Sequence, residues 1–420
     1  MAPDPPISRF LRVALIFSLA FGFLPAPNFS EEGSVDSASQ PVKQYGGKTL
    51  EEWRREIKDL SPDNPAHRDA VPALIEIIKD AEVPWFTRSQ VANTLGRMGK
   101  LAPEGVPVLV RLLDEAETAD HAPRVWAGKA LALYGPLARQ AAPRLVEILK
   151  NEKLPLAERQ VAIDALGQIG GAHPRAIPAL VETLNLPRPA DSAEDEEKIE
   201  SLRELAVESI AFIGPDAAIA VPVLLRNLNH ESESFRRKTA AALGRIGSPA
   251  QLAIPTLIEV LAFDESPAVR DAAETALAGI GQPALPALMH LLGDEDPELR
   301  QRGARALGAI KKPAAAAVPK LRERLKDADP HVRFAVAKSL WEIQGTAGDS
   351  LPVFVETLKS PDRQLRMQAF RVLTTELGEK AAPARENLRK LKAHPDASVR
   401  QAAQRALERI PAGDRQKSAD

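Results

Sequence analysis

In VPALIEIIKD (residues 71–80) the apolar residues Leu74, Ile75 and Ile78 fall at i, i+1 and i+4, one face of a helix. Val269, Ala272, Ala273, Ala276, Leu277 and Ile280 keep the same helical beat over three turns. Polar turns separate such stretches, as at Asp294–Pro297 and Asp327–Pro330. There an Asp before Pro supplies an N-cap and the Pro opens the next helix, where its missing N–H has no partner to lose. Gly follows the apolar stretches at Gly99, Gly135, Gly170, Gly214, Gly247 and Gly281. Those positions predict left-handed C-terminal caps. Gly96, Gly167, Gly244 and Gly308 lie inside second helices, where each costs about 1 kcal/mol relative to Ala. Their recurrence at one register predicts a close approach between helices.

Two markers keep step along most of the chain. A proline opening an apolar stretch recurs at Pro72, Pro107, Pro143, Pro178, Pro222, Pro255, Pro286, Pro319, Pro352 and Pro383. An arginine trails each one, from Arg88, Arg124, Arg159 and Arg203 to Arg400. The pattern predicts an all-α chain, an α-solenoid of about ten helix pairs filling residues 66–411. Residues 47–65 predict an N-terminal capping helix, with Leu50, Trp53, Ile57 and Leu60 at helical spacing after Thr49. Residues 186–200 (LPRPADSAEDEEKIE) lengthen repeat 4 and predict an acidic, solvated loop between its two helices.

The D-x-D-P-x-[VL]-R turn (Asp294 to Arg300, Asp327 to Arg333) and the ALG-x-IG ending (Ala165–Gly170, Ala242–Gly247) resemble the HEAT repeat. The closer resemblance is to the short bacterial form named after phycobilisome lyases. The resemblance implies a ladder in which turn acids such as Asp294 and Asp327 meet Arg236, Arg270, Arg300, Arg333, Arg366 and Arg400 of neighbouring repeats. It also implies that second helices line the concave side. Repeats 1–3 lack the D-x-D-P turn, repeat 9 has SPDRQLR instead, and Lys311 stands where repeat 7 should end in Gly.

The N-terminus reads differently. Arg9 and Arg12 precede an apolar run, Val13–Leu24, that is too short to span a bilayer but suits a secretory signal. Residues 1–30 are therefore an expected signal peptide, 31–46 a flexible linker and 412–420 a disordered tail. An exported location follows, periplasmic or extracellular, with no membrane span after cleavage; an uncleaved segment would tether the chain.

Candidate chemistry is sparse. The absence of cysteine excludes disulfides and thiolate sites. No two of the seven histidines lie at i, i+3 or i+4, and no G-x-S-x-G, Walker A or G-x-G-x-x-G occurs. No catalytic residue, metal site or cofactor is expected. The alternative is an enzyme subunit related to phycobilin lyase or to the di-iron deoxyhypusine hydroxylase. That hydroxylase uses several His-Glu pairs, and only His230–Glu231 occurs here.

Charge changes the picture most. The formal net charge is −2. Residues 300–420 carry 25 basic and 14 acidic side chains, leaving 30 and 43 for residues 1–299. The chain is thus acidic over most of its length and basic at its C-terminal end. Such asymmetry points to partners rather than to fold. Arg237, Lys238 and Arg245 of repeat 5 and Arg302 and Arg305 of repeat 7 become candidates for a basic groove. The expected function is a non-enzymatic interaction scaffold for a protein or peptide, acidic if the groove binds it. Head-to-tail self-association is a further expectation, and specific nucleic-acid binding is not expected.

Overall fold

The computed structural model describes residues 42–115, 122–187 and 192–411. The expected signal peptide, the linker up to residue 41 and the tail 412–420 lie outside the described residues, as do His121 and Asp191.

Ten helix pairs follow in chain order. Repeats 1–5 are Val71–Lys79 with Trp85–Met98, Gly105–Leu112 with Pro123–Tyr134, Ala142–Lys150 with Leu156–Ile169, Ala176–Leu184 with Ala193–Ile213, and Val221–Asn227 with Glu233–Ile246. Repeats 6–10 are Ile254–Phe263 with Pro267–Ile280, Leu285–Leu291 with Pro297–Ile310, Val318–Arg324 with Pro330–Gln344, Leu351–Thr357 with Arg363–Arg371, and Arg385–Leu391 with Ala397–Arg409. The marker prolines sit in the first turn of most first helices, Pro72 and Pro255 among them. Pro383 instead lies in the 3-10 turn just before its helix.

In repeats 1–6 the second helix ends at its glycine, but not in the expected left-handed cap. From Gly99 to Gly281 the six closing glycines pair φ of +49° to +80° with ψ of −109° to −141°. A left-handed cap would need ψ near +47°. The observed conformation turns the chain into a short 3-10 segment that leads to the next proline. Lys311 adopts it too, with φ +62° and ψ −144°, as the only non-glycine at positive φ among the described residues.

Repeats 8 and 9 each hold one extra residue between the ladder arginine and the closing glycine. Repeat 8 absorbs it with a true left-handed cap at Gly345 (φ +69°, ψ +3°). Repeat 9 absorbs it by widening its last turn into a π-helix, Val372–Glu376, in which Leu377 N–H donates to Val372 O.

Within the insertion, residues 192–200 are not the solvated loop the sequence predicted, and residues 188–191 lie outside the described residues. Ser192 caps a helix that starts at Ala193, so Glu194–Glu200 form an extension of the second helix of repeat 4. Ser caps and an acidic first turn both favour helix there. The helical run Ala193–Asn227 is apolar enough by composition to cross a membrane, yet half of its most apolar window is buried. Gly214 also breaks it into two helices.

The N-terminal cap starts earlier than expected. Gln44–Tyr45 and Lys48–Thr49 pair antiparallel around Gly46 and Gly47, both at positive φ as a tight hairpin requires. The helix Leu50–Glu56 follows with a full capping box between Thr49 and Glu52. Trp53 is buried and donates Nε1–H to Tyr45 O at 2.8 Å, while the Tyr45 hydroxyl reaches Asp80 at 2.5 Å. Trp53 is thus a core residue that pins the hairpin to repeat 1.

One aliphatic core runs from Tyr45 to Ile343. A second, from Phe334 to Ile410, serves repeats 8–10. They share the second helix of repeat 8, which sends Val332, Val336 and Leu340 to one and Phe334 and Ala337 to the other.

Candidate interaction surface

Neighbouring second helices pack directly on one another. The internal glycines allow it. A Cβ on Gly279 would stand 2.4 Å from Gly244 O, one on Gly308 2.7 Å from Ser339 Oγ, and one on Gly167 2.7 Å from Ser209 Cβ. On the outer side of this stack, positions five and nine residues after each ladder arginine are exposed or half-exposed. Lys129 with Leu133, Glu208 with Phe212, Arg305 with Ala309, and Arg405 with Arg409 are examples. The fifth position is basic at Lys129, acidic at Asp164 and Glu208, and basic again at Arg305, Lys338, Arg371 and Arg405.

The five candidate groove residues divide. Arg237 and Arg245 are exposed and make no ion pair among the described residues. Lys238 is held at 2.7 Å by both Glu204 and Glu208 of the preceding repeat. Burial alone would depress its ammonium, but the two carboxylates outweigh that and raise it. Arg302 is buried and touches Asp271 at 2.8 Å, Glu298 at 3.0 Å and Glu274 at 3.1 Å. Arg305 meets the other oxygen of Glu274 at 2.9 Å. Burial pushes the Glu274 carboxyl up despite its two arginines. Lys238, Arg302 and Arg305 therefore tie repeats together, and the basic strip is broken between Arg245 and the C-terminal repeats. The sequence carries only an indirect sign of this, a carboxylate one repeat upstream at matching register, which shows once the repeats are aligned.

The ladder residues show a sharper pattern. In repeats 5–10 the arginine Nη1 donates to the carbonyls six and five residues before it. For Arg300 these are Asp294 and Glu295, for Arg333 Asp327 and Ala328, for Arg366 Ser360 and Pro361, and for Arg400 His394 and Pro395. Arg236 and Arg270 make the same clamp. The side chain six before each arginine accepts an N–H two residues on, whether it is Asp327, Ser360 or His394. Asp or Ser at that next position then caps the second helix.

Only two arginines of this set also reach the next repeat's turn acid. Arg236 grips Asp264 (Nε to Oδ2 2.8 Å, Nη2 to Oδ1 3.0 Å), and Arg300 grips Asp327 (2.9 and 2.8 Å). Burial would raise both carboxyls, but the arginine bonds and a backbone N–H outweigh it and hold them below the usual range. Asp294 accepts its own turn's N–H, while Arg270 lies 3.8 Å from Glu298 instead. At the position of the turn acid, the repeats after Arg333 and Arg366 carry Ser360 and His394.

The N-terminal arginines, which the sequence left without a role, bind differently. Arg88, Arg124 and Arg159 donate Nε–H to Ile78, Leu113 and Leu149 O at the end of their own first helices, where carbonyls lack partners. Arg124 also pairs with the fully buried Glu158 at 3.1 Å, and Arg88 with Glu115 at 3.2 Å.

Residues 254–340 and 314–374 match the HEAT repeats family, and residues 158–185 match the PBS lyase HEAT-like repeat. No curated protein sequence matches the chain. Among solved structures it is similar to Kap95p, a yeast importin-β, in its complex with RanGDP (16% identity, 86% of this chain and 55% of that one, TM-score 0.47). An importin-β crystallised in ammonium sulfate gives 15% identity, 85% and 54% coverage and a TM-score of 0.47. The CpcE–CpcF complex of phycocyanin lyase from Nostoc gives 23%, 59% and 91%, and 0.33. The chain spans about half the length of the importin structures it matches. With ten stacked helix pairs and family matches in both halves, the chain is a HEAT-repeat protein.

Proposed function

We propose that this protein is a non-enzymatic scaffold that binds a polypeptide along the face of its stacked second helices. The observation that carries the reading is the repeated exposed stripe, which recurs at one register in successive repeats and mixes apolar and charged positions. Phe212 and Leu133 are nearly half exposed there, and Arg237 and Arg245 of repeat 5 are exposed with no ion pair among the described residues. A surface built by repetition suits an extended partner, because each repeat presents similar groups one layer along. The residues 1–30 support work outside the cytoplasm, and the acid-to-base gradient supports a head-to-tail contact between copies.

The test is co-purification from the exported fraction with wild-type protein and with Phe212→Glu/Arg245→Glu. Loss of a stoichiometric partner is expected in the variant while the circular dichroism stays the same. An unchanged set of captured proteins would overturn the second-helix face as the binding surface. Sedimentation at low and high salt tests self-association, which requires oligomers that dissolve as salt rises.

A further inference from the structure

The two filled rungs define what an unfilled one lacks. In repeats 5 and 7 the arginine uses Nη1 for its turn carbonyls and presents Nε and Nη2 as a fork that holds a carboxylate bidentately. Arg333, Arg366 and Arg400 make the same Nη1 clamp, so their guanidiniums are held in the same local frame. Their Nε and Nη2 have no carboxylate partner among the described residues. Ser360 and His394 occupy the acid's place for Arg333 and Arg366, and no turn after repeat 10 lies among the described residues. All three arginines are at least partly exposed. The carboxylates near them, Asp362 and Asp396, are helix caps already bonded to Gln364 and Ser398 N–H. Asp396 is the one that feels Arg366, which adds to the bonds that hold its carboxyl low. Lys326 and Lys392, in the turns between the two helices of repeats 8 and 10, make no ion pair among the described residues.

We propose that the turn edge of repeats 8–10 is a docking track for an acidic polypeptide segment, with Arg333, Arg366 and Arg400 each taking one carboxylate. The fork geometry selects planar carboxylates, as the internal rungs Asp264 and Asp327 do. Successive forks are one helix layer apart, about 8–10 Å. A polyproline II segment turns once every three residues and rises about 3.1 Å per residue, so acids at every third position fall on one face about 9 Å apart and fit the track. This deepens the scaffold reading, since the partner is a polypeptide, but places it on a surface distinct from the second-helix face.

The experiment fills the forks from within. Ser360→Asp/His394→Asp rebuilds the rungs while keeping the turn acceptor, because Asp327 performs both tasks in repeat 8. Binding of a labelled nine-residue peptide with Glu at every third position is measured by fluorescence anisotropy on the full chain. The double variant is expected to keep or raise its melting temperature and to lose affinity at least tenfold. Arg363→Glu/Lys359→Glu, which alters the charge by twice as much nearby, is expected to lose less. Equal losses in both variants, or no loss in the first, would overturn the proposal. So would a wild-type chain that binds polyphosphate or DNA but not the peptide. If the peptide fails while partners are still captured through Phe212 and Arg245, this inference falls and the scaffold reading survives.

Discussion

Repeats 1–4 and repeats 5–10 solve one problem in two ways. Both place an arginine in the first turn of the second helix, except in repeat 4 where the helix is extended and Arg203 lies mid-helix, and both must satisfy polar groups where the chain turns between helices. Repeats 5–10 bring a turn of fixed length with an Asp or Ser cap, so the arginine finds two turn carbonyls at the same offsets every time. In repeats 1 and 3 the cap residue is Pro84 or Pro155, which has no side-chain acceptor, and the arginine turns back to the end of the first helix. The shared arginine is thus a conserved position within this chain but not a single interaction. Turn chemistry decides its partner.

The first way to break the comparison is at Arg302, which is buried against the buried Glu274 while its other partners, Asp271 and Glu298, stay more than half exposed. Arg302→Ala leaves Glu274 with less compensation in a buried site and is expected to lower stability by about 3–5 kcal/mol. Urea denaturation reads this, while Arg237→Ala on the exposed face should shift it by less than about 0.5 kcal/mol. Next come the rungs. Arg300→Ala removes a carboxylate grip as well as the turn clamp and should cost about 2–3 kcal/mol, against about 1 kcal/mol for Arg366→Ala, which has the clamp alone. Hydrogen exchange in the adjoining turns reports where each loss falls, and equal losses would remove the distinction between filled and unfilled rungs.

Acid titration sharpens the same point. Asp264 and Asp327 carry depressed folded-state pKa values, so their contribution is present above the unfolded value and disappears as pH falls through the folded one. Stability in repeats 5–8 is expected to decline below about pH 4, the ordinary aspartate range. Asp264→Asn/Asp327→Asn should flatten that decline in a melting-temperature series against pH. The smallest expected effect is at Lys311. Relieving a positive φ of this kind, less the added flexibility of glycine, predicts that Lys311→Gly stabilises by about 1 kcal/mol. Gly281→Ala, at the equivalent position of repeat 6, should destabilise by a similar amount; a destabilised Lys311→Gly would mean that the lysine side chain contributes more than its backbone strain removes.

Much of the fold was legible because helical periodicity, proline openers and glycine closers are local signals. The ten pairs, the core face of Val269 to Ile280 and the close approach at Gly244 all follow from them. The hairpin before repeat 1 was missed, although Gly46–Gly47 carries a turn signal, because two-residue strands have no periodicity to detect. The extension Ala193–Glu200 was misjudged because acids in a long insertion resemble a loop, whereas after Ser192 they fit a helix start. At the candidate surface, the exposed Arg237 and Arg245 were legible as cations. The captivity of Lys238, Arg302 and Arg305 was not, since it depends on side chains one repeat away.

The sequence by itself determined the repeat, its helices and the opposite charge of the two ends, since these depend on contacts within about one turn or on simple composition. Only the tertiary structure decided which cations are neutralised, which arginine forks are filled and how an extra residue is absorbed by Gly345 or by the π-turn at Val372–Glu376. Those outcomes rest on distances of a few ångströms between stacked repeats, where a carboxylate at 2.8 Å and a serine in its place read almost alike in the chain.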